Sequence, residues 1–303
     1  MIFTNQEKPT KNNICAIVVT YHPDKEFHNR IKMIQEQVKS IVIVDNHSDE
    51  ECQEMLTAIS KELNIKLIRN NKNLGIATAL NRGFSYAVDC PDNYKWCLTM
   101  DQDTQVFPEM VVSLISAYEE CTFQNIVGII GSNYREWSTD RVLFQSTNSD
   151  QKWVEVEHLP TSGSLTSLPI YRALGKFRDE FFIDYVDTEY CFRLKEMGYR
   201  IIISPKVGMK HPQGYYKPNK IHKILFDKTL VSNYPPIRHY YWTRNGMILV
   251  RERFWKDTNW CLRETYYLLI RRIGSVIMFE EQKLLKLKNI FYGLFDATIR
   301  RHK

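Results

Sequence analysis

The chain of 303 residues lacks the apolar stretches that membrane proteins carry. No hydrophobic run approaches the roughly 20 residues that a spanning helix needs. The first residues contain no long apolar core, so we expect neither a membrane span nor a signal peptide. The seven cysteines are odd in number and scattered, and none is spaced C-x-x-C. This pattern argues against a disulfide framework or a zinc site and favours a reducing, cytoplasmic location.

Glycine-rich phosphate loops are missing as well. The sequence contains no G-x-G-x-x-G after its first apolar segment and no G-x-x-x-x-G-K-[ST] anywhere. These absences exclude the usual dinucleotide fingerprint and the usual NTPase loop. If the protein binds a nucleotide, another feature must neutralise the phosphates, and a divalent metal ion held by carboxylates would do so.

Charge is distributed unevenly along the chain. The formal net charge is +6, but residues 1–199 carry −8 and residues 200–303 carry +14. The basic part predicts an anionic partner, either nucleic acid or an anionic membrane surface. Its last predicted helix, 281–300, places five apolar residues on one face: Leu284, Leu287, Phe291, Leu294 and Phe295. Such a helix either packs on the main domain or contacts lipid.

Strand-like and helical segments alternate in the first hundred residues. Buried strands are predicted at 14–20, 41–44, 65–68 and 96–100, each followed by a segment with helical spacing. This order predicts a parallel, doubly wound α/β sheet of Rossmann-like architecture. Further strands are predicted at 126–130, within 141–157 and at 201–204, with small polar residues at 161–166 and the residues around His211 as loops.

Two carboxylates one residue apart follow the fourth predicted strand. Asp101 and Asp103 share a face in extended backbone, at the sheet edge where open α/β folds bind ligands. Hard oxygen ligands so close together repel each other unless a cation such as Mg²⁺ or Mn²⁺ lies beside them. A solvated turn before the helix that begins at Pro108 is the alternative interpretation.

A second acidic cluster begins a helix that ends near Gly198. Its members are Asp184, Asp187 and Glu189. Carboxylates at a helix N-terminus are stabilised by the helix dipole, so the cluster fits either a helix start without chemistry or a catalytic site.

Five motifs in a fixed order make the chain resemble the bacterial family 2 glycosyltransferases of the GT-A fold, and in particular the rhamnosyltransferases of cell-surface polysaccharide biosynthesis. They are V-D-N-x-S at 44–48, N-x-G-x-A-x-A-x-N-x-G at 73–83, D-Q-D at 101–103, T-S-G-S-L at 161–165 and D-x-E-Y-C-x-R at 187–193. The resemblance covers residues 14–255. It implies a nucleotide-sugar-binding and catalytic domain over 1–215, with a mainly parallel sheet flanked by helices. It also implies a basic helical region over 216–303 for acceptor and membrane contact.

The resemblance also implies roles for the donor-side residues. Those that would bind the nucleotide sugar are Thr20, Tyr21, Asp45, Asn73, Gly75 and Asp101. The metal ion, Mn²⁺ or Mg²⁺, would be bound by Asp103 and His211, with Asp101 assisting at the ribose or the metal.

On the acceptor side, Asp187 would be the catalytic base when Arg193 sets the register. The acidic pair that usually precedes this position is Val186-Asp187 here, so Asp184 and Glu189 stay competing candidates. The acceptor-side candidates are Ser162, Gly163, Ser164, Glu189 and Arg244.

The implied reaction is a single in-line displacement with inversion of the anomeric carbon. The donor would be dTDP-β-L-rhamnose and the acceptor a lipid-linked saccharide at the inner face of the cell membrane, where the enzyme would be peripheral. Another nucleotide sugar is an alternative donor. A nucleotidyltransferase would carry a glycine-rich basic loop where this chain has Thr20-Tyr21-His22-Pro23. A nucleic-acid-binding protein would explain the basic end but not the acidic clusters, so we expect no nucleic-acid partner. The oligomeric state stays open.

Overall fold

A computed structural model describes residues 6–145, 150–212, 214, 216–219, 222–223 and 230–299. The chain divides into two compact units. The N-terminal unit comprises Met1–Glu180 and Val186–Pro212, and the C-terminal unit comprises Phe181–Tyr185 and Gln213–Lys303.

The first half of the N-terminal unit alternates strands and helices, as its hydrophobic pattern predicts. Its elements are β1 (Ile14–Thr20), α1 (Phe27–Gln35), β2 (Ser40–Asp45), α2 (Glu50–Glu62), β3 (Lys66–Arg69), α3 (Gly75–Asp89) and β4 (Trp96–Asp101). The second half contains β5 (Gln105–Val106), α4 (Met110–Glu119), β6 (Val127–Glu136), β7 (Val154–Glu155), β8 (Ser164–Ser167), α5 (Leu168–Leu174), α6 (Val186–Glu196) and β9 (Arg200–His211).

These strands form one mixed, mainly parallel sheet in the order β3-β2-β1-β4-β8-β6-β9-β5, with β7 paired to β9. β1 is parallel to β2 and β4, and β6 is parallel to β9. β8 runs antiparallel between β4 and β6. The predicted α/β class with a mainly parallel sheet is confirmed, and the antiparallel central strand is an addition to it.

Two predicted loops are wrong. Ser164–Ser167 is a buried central strand, because its backbone pairs with β4 on one side and β6 on the other. Its side chains are small enough to be buried there, and Ser164 Oγ donates to the Pro160 carbonyl at 2.6 Å. His211 ends β9, because that strand continues past residue 204 by pairing with both β6 and β5. Of the two strands predicted within 141–157, the structure has Val154–Glu155 and a single bridge at Val142, while 146–149 lie outside the described residues.

Close packing of α3 on β1 fixes the edge where ligands are expected. Every residue of β1 is buried, as a strand covered on both faces requires. A Cβ at Gly83 would lie 2.3 Å from Ile17 Cγ2, so only glycine lets the helix approach this closely. The N-terminus of α3 is thereby held against the carboxyl ends of β1 and β2.

The C-terminal unit is mainly helical. Its elements are a hairpin of β10 (Tyr216–Pro218) and β11 (Leu230–Ser232), α7 (Pro236–Arg253), α8 (Thr258–Tyr266), a π-helical turn (Tyr267–Arg271), α9 (Arg272–Phe279) and α10 (Lys283–Ile299). Within the described ranges, none of the helices combines the length and hydropathy that a membrane span requires.

The buried residues of α10 are Lys286, Ile290, Gly293 and Ala297, while most of its large apolar residues lie elsewhere on the helix. A Cβ at Gly293 would lie 2.6 Å from the Tyr240 carbonyl oxygen, so the backbones of α10 and α7 meet closely there. Leu284, Phe291 and Phe295 are instead 85%, 65% and 54% exposed. The predicted apolar stripe is therefore largely a surface of the protein.

Candidate active site

The carboxyl ends of three neighbouring strands form one polar edge. In the parallel registers of β1, β2 and β4, Thr20 lies beside Asp45 and Val19 beside Asp101. The sequence motifs that follow these strands are therefore brought together at the edge where parallel sheets bind ligands.

Asp101, Asp103 and His211 form a potential metal-binding cluster at this edge. One ligand atom from each residue lies within 4.8 Å of the others. His211 Nε2 is 3.8 Å from Asp101 Oδ2, and its Nδ1 is 3.9 Å from Asp103 Oδ1. The end of β4, the turn after it and the end of β9 supply the three side chains.

Asp103 has an oxygen that needs a partner. About half of its side chain is exposed, but Oδ1 is buried and makes no hydrogen bond with any described residue. Burial raises the pKa of Asp103 above its usual value, although His211 and Arg30 act in the opposite direction. A cation would compensate the desolvation of this carboxylate.

Behind His211 lies a chain of hydroxyl groups. Thr104 Oγ1 is 2.7 Å from His211 Nδ1 and 2.8 Å from Ser162 Oγ, which accepts from the Asp101 backbone N–H at 3.1 Å. If Nδ1–H donates to Thr104, the lone pair on Nε2 faces Asp101. Thr104 was missed by the sequence analysis, although it directly follows the D-Q-D motif.

Gln102 ties the loop after β1 to the turn after β4. Its Oε1 accepts from the Tyr21 N–H at 2.7 Å, and its Nε2 donates to the Tyr21 carbonyl at 3.0 Å. Arg30 Nε donates to the Gln102 carbonyl at 2.8 Å. These two residues, also missed, hold the Tyr21 backbone while its ring stays 47% exposed.

Asp45 is completely buried at the end of β2. Its oxygens accept from Thr20 Oγ1 at 3.0 Å, from the Ser48 N–H at 3.0 Å and from Ser48 Oγ at 2.5 Å. In this arrangement Asp45 and Thr20 stabilise the loop beneath the site, and their contact with a nucleotide stays a prediction.

An asparagine network shapes the N-terminus of α3. Asn46 Oδ1 accepts from Asn70 Nδ2 at 2.8 Å and from the Leu74 N–H at 3.0 Å, and Asn73 Oδ1 accepts from the Gly75 N–H at 3.0 Å. Gly75 has φ +83°, which favours glycine. The N-terminus of a helix attracts anions, so this corner can accept phosphate oxygens. Asn46 and Asn70 were not among the predicted site residues.

The three candidate bases have different environments. Glu189 is buried and forms a bidentate pair with Arg193, at 2.6 and 2.9 Å. Asp184, in the C-terminal unit, forms a bidentate pair with Arg238. Asp187 is half-buried in the first turn of α6, where its Oδ1 accepts from the Thr188 N–H at 2.7 Å. Both competing carboxylates are thus held by arginines.

The family model described as glycosyl transferase family 2 matches residues 15–175, more than half of the chain. The chain belongs to glycosyl transferase family 2. It is a glycosyltransferase, and the recognition made from its sequence motifs is confirmed.

Known proteins similar to this glycosyltransferase agree with the assignment. The dTDP-rhamnosyl transferase RfbF of Shigella flexneri is 29% identical over 251 residues, covering 80% of this chain and 81% of RfbF. The structure of S. aureus TarS 1-349 matches with a TM-score of 0.59 at 13% identity, over 95% of this chain and 81% of that one. GalNAc-T7, crystallised with UDP, GalNAc and Mn²⁺, matches with a TM-score of 0.55 at 11% identity over 66% of this chain, which spans 43% of GalNAc-T7. The structural matches show the GT-A fold alone.

The acceptor-side candidates of this glycosyltransferase belong to both units. Ser162 belongs to the hydroxyl chain behind His211, and Gly163, with φ +79°, donates its N–H to the Thr99 carbonyl at 2.8 Å. Ser164 lies in β8. Arg244 belongs to the C-terminal unit, where it is buried on α7 and donates to Asn245 Oδ1 at 2.9 Å.

Proposed function

We propose that this glycosyltransferase transfers L-rhamnose from dTDP-β-L-rhamnose to a lipid-linked saccharide, with inversion and with a divalent metal ion. The observation that carries the proposal is the cluster of Asp101, Asp103 and His211 at the strand edge of a family 2 enzyme. The dTDP-rhamnose donor is supported by the similarity to RfbF over four fifths of both chains.

The residues of the cluster fit a metal ion. The buried Oδ1 of Asp103 offers a carboxylate oxygen that accepts no hydrogen bond from any described residue. Two carboxylates and one imidazole are a ligand set that Mn²⁺ accepts, while Mg²⁺ prefers oxygen alone. Asp101, Asp103 and His211 would hold the ion, which would neutralise the departing dTDP. Mn²⁺ in the GalNAc-T7 structure supports the same chemistry for this fold.

The donor is held by the strand edge in this proposal. Tyr21, with its exposed ring and its backbone held by Gln102, would stack on the base. The N-terminus of α3 at Gly75 would accept diphosphate oxygens, with Asn73 fixing the loop before it.

Asp187 would accept the proton of the acceptor hydroxyl as that oxygen attacks the anomeric carbon. Glu189 and Asp184, the competing candidates, are each held by an arginine in a bidentate pair. A reaction with one base and no covalent carbohydrate intermediate inverts the anomeric carbon, so the β-linked donor gives an α-rhamnoside.

The outward face of α10 would bring the enzyme to the acceptor by contact with an anionic membrane. Leu284, Phe291 and Phe295 are exposed there beside Lys283 and Lys288. Each basic residue near an anionic surface contributes about 1 kcal/mol, so a few suffice for reversible binding when aromatic side chains add apolar contact.

A donor panel tests the proposal. Purified protein with Mn²⁺ is incubated with dTDP-β-L-rhamnose, dTDP-glucose, UDP-glucose or GDP-mannose, and release of nucleoside diphosphate is measured with and without a rhamnan-type lipid-linked acceptor. We expect nucleoside diphosphate to be released from dTDP-β-L-rhamnose and from none of the other three donors. The acceptor should stimulate this release. Preference for another sugar nucleotide would contradict the proposed donor.

A further inference from the structure

A cavity of about 570 Å³ in the C-terminal unit is independent of the strand-edge site. It lies against α9, the π-helical turn and β11. Among its described lining residues are Tyr267, Arg271, Arg272, Ser275, Met278 and Phe279. π-Helical turns are rare and frequently lie at functional sites.

Arg272 in this cavity is a buried cation for which no described residue supplies an anion. It is only 7% exposed, and its guanidinium carbon lies 3.3 Å from the centre of the Trp242 ring. Nη2 donates to Tyr267 Oη at 3.0 Å, while Nε has no hydrogen-bond partner and no described carboxylate pairs with the group. A buried charge normally has a counter-ion, and guanidinium groups suit phosphate oxygens.

The carboxylate in the same cavity is already neutralised. Glu280 Oε2 accepts from Lys286 Nζ at 2.8 Å and lies 3.3 Å from His239 Nε2, and Ser275 Oγ donates to Oε1 at 3.1 Å. Burial acts to raise the pKa of Glu280, but the contacts with His239 and Lys286 outweigh it, and the pKa is lowered. The carboxylate is therefore ionised, and its charge is already balanced by these neighbours. Among the described lining residues, Arg272 and the exposed Arg271 therefore leave an excess of positive charge.

Part of the remaining lining is apolar and reaches the surface, alongside the polar His222 and Ser232. Ile270 and Met278 are 60% and 50% exposed at the cavity, beside the partly buried Phe279. A ligand that satisfies both parts of the lining has a phosphate group for the arginines and a hydrocarbon chain for the apolar residues.

We propose that this cavity binds a prenyl diphosphate, with the diphosphate at Arg272 and Arg271 and the chain against Ile270 and Met278. The inference rests on the proposed function, because it gives the prenyl diphosphate part of a lipid-linked acceptor a binding site of its own. The experiment below measures binding without sugar transfer, so its failure is distinguishable from failure of the proposed donor or reaction.

Calorimetric titration of the full-length protein with farnesyl diphosphate tests the site, with inorganic diphosphate and farnesol as separate arms. We expect farnesyl diphosphate to bind at least about 10-fold more tightly than either part alone. Arg272→Gln should weaken binding about 10-fold or more, because it removes charged hydrogen bonds. Equal affinity for inorganic diphosphate and farnesyl diphosphate, or no binding of either, would overturn the proposal.

A cavity-filling variant tests the site independently, in case Arg272→Gln does not fold. A Cβ at Gly274, which lines the cavity, would have no atom within 4 Å, and leucine favours a helix more than glycine does. Gly274→Leu should therefore fold and lose farnesyl diphosphate binding, while Gly274→Ala should keep it. Melting temperature and dTDP affinity serve as folding controls, and unchanged farnesyl diphosphate binding in Gly274→Leu would refute the site.

Discussion

Replacing the proposed base separates a chemical role from a structural one. Asp187 Oδ1 accepts a hydrogen bond from the Thr188 N–H at 2.7 Å, and Asp187→Asn keeps an oxygen that can accept the same bond. The substitution removes the favourable interaction of a negative charge with the helix N-terminus, about 0.3–1 kcal/mol. Asparagine cannot accept a proton at neutral pH, so turnover should fall about 10²- to 10⁴-fold while stability changes little.

The matched change at Glu189 should have the opposite signature. Glu189 is 5% exposed and Arg193 is 29% exposed, and breaking such a buried pair costs about 3–5 kcal/mol when one partner is lost entirely. Glutamine still accepts one bond, and Arg193 keeps the carbonyls of Leu174 and Lys176, so we expect about 2 kcal/mol. For a unit of roughly 200 residues this lowers the melting temperature by about 4–8 °C.

The assay measures three quantities for both variants: turnover with saturating donor and acceptor, dTDP affinity by calorimetry, and melting temperature by circular dichroism. Asp187→Asn should lose turnover and keep the other two, whereas Glu189→Gln should mainly lose stability. Normal turnover in Asp187→Asn, together with an inactive but stable Glu189→Gln that binds dTDP, would assign the base to Glu189 and refute the reasoning.

Three further predictions follow from other contacts. Thr104→Val should weaken Mn²⁺ binding about 10-fold in a calorimetric titration, because it removes the partner of the His211 ring, and Thr104→Ser should not; equal affinities would contradict this. Phe291→Ser should reduce sedimentation with anionic liposomes, unlike Val112→Ser, an equally exposed apolar residue of the other unit; equal sedimentation would exclude α10 as the anchor. Glu280→Gln should destabilise the protein by about 3–5 kcal/mol in chemical denaturation, since it leaves Lys286 buried without a counter-charge, whereas the exposed Glu281→Gln should have no such effect.

The sheet and the edge of the site could be predicted because their signals are local. Continuous apolar runs such as 14–20 mark strands buried on both faces, and polar motifs directly after them must lie at the carboxyl edge. The cluster of Asp101 and Asp103 follows from that rule alone. His211 could be predicted only from the family resemblance. It is 107 residues from Thr104, its hydrogen-bond partner, so no local pattern in the sequence connects the two.

What the sequence could not reveal depends on contacts between distant segments. Ser164–Ser167 has no apolar run, and it becomes a strand because β4 and β6 supply partners on both sides. The pattern of polar and apolar residues in α10 likewise predicts the wrong buried face. Lys286 is buried because Glu280 and Asn233 bind it, while Phe291 is exposed. Periodicity identifies the helix but not which of its faces meets α7.

The central claim is metal-dependent transfer at the cluster of Asp101, Asp103 and His211. Its most direct test is release of dTDP from dTDP-β-L-rhamnose, with acceptor present, after removal of metal by a chelator and again after addition of Mn²⁺, for the wild type and for Asp103→Ala. We predict that the chelated wild type is inactive and recovers with Mn²⁺, while Asp103→Ala remains folded and inactive in both conditions. Full activity of the wild type in excess chelator would contradict the account.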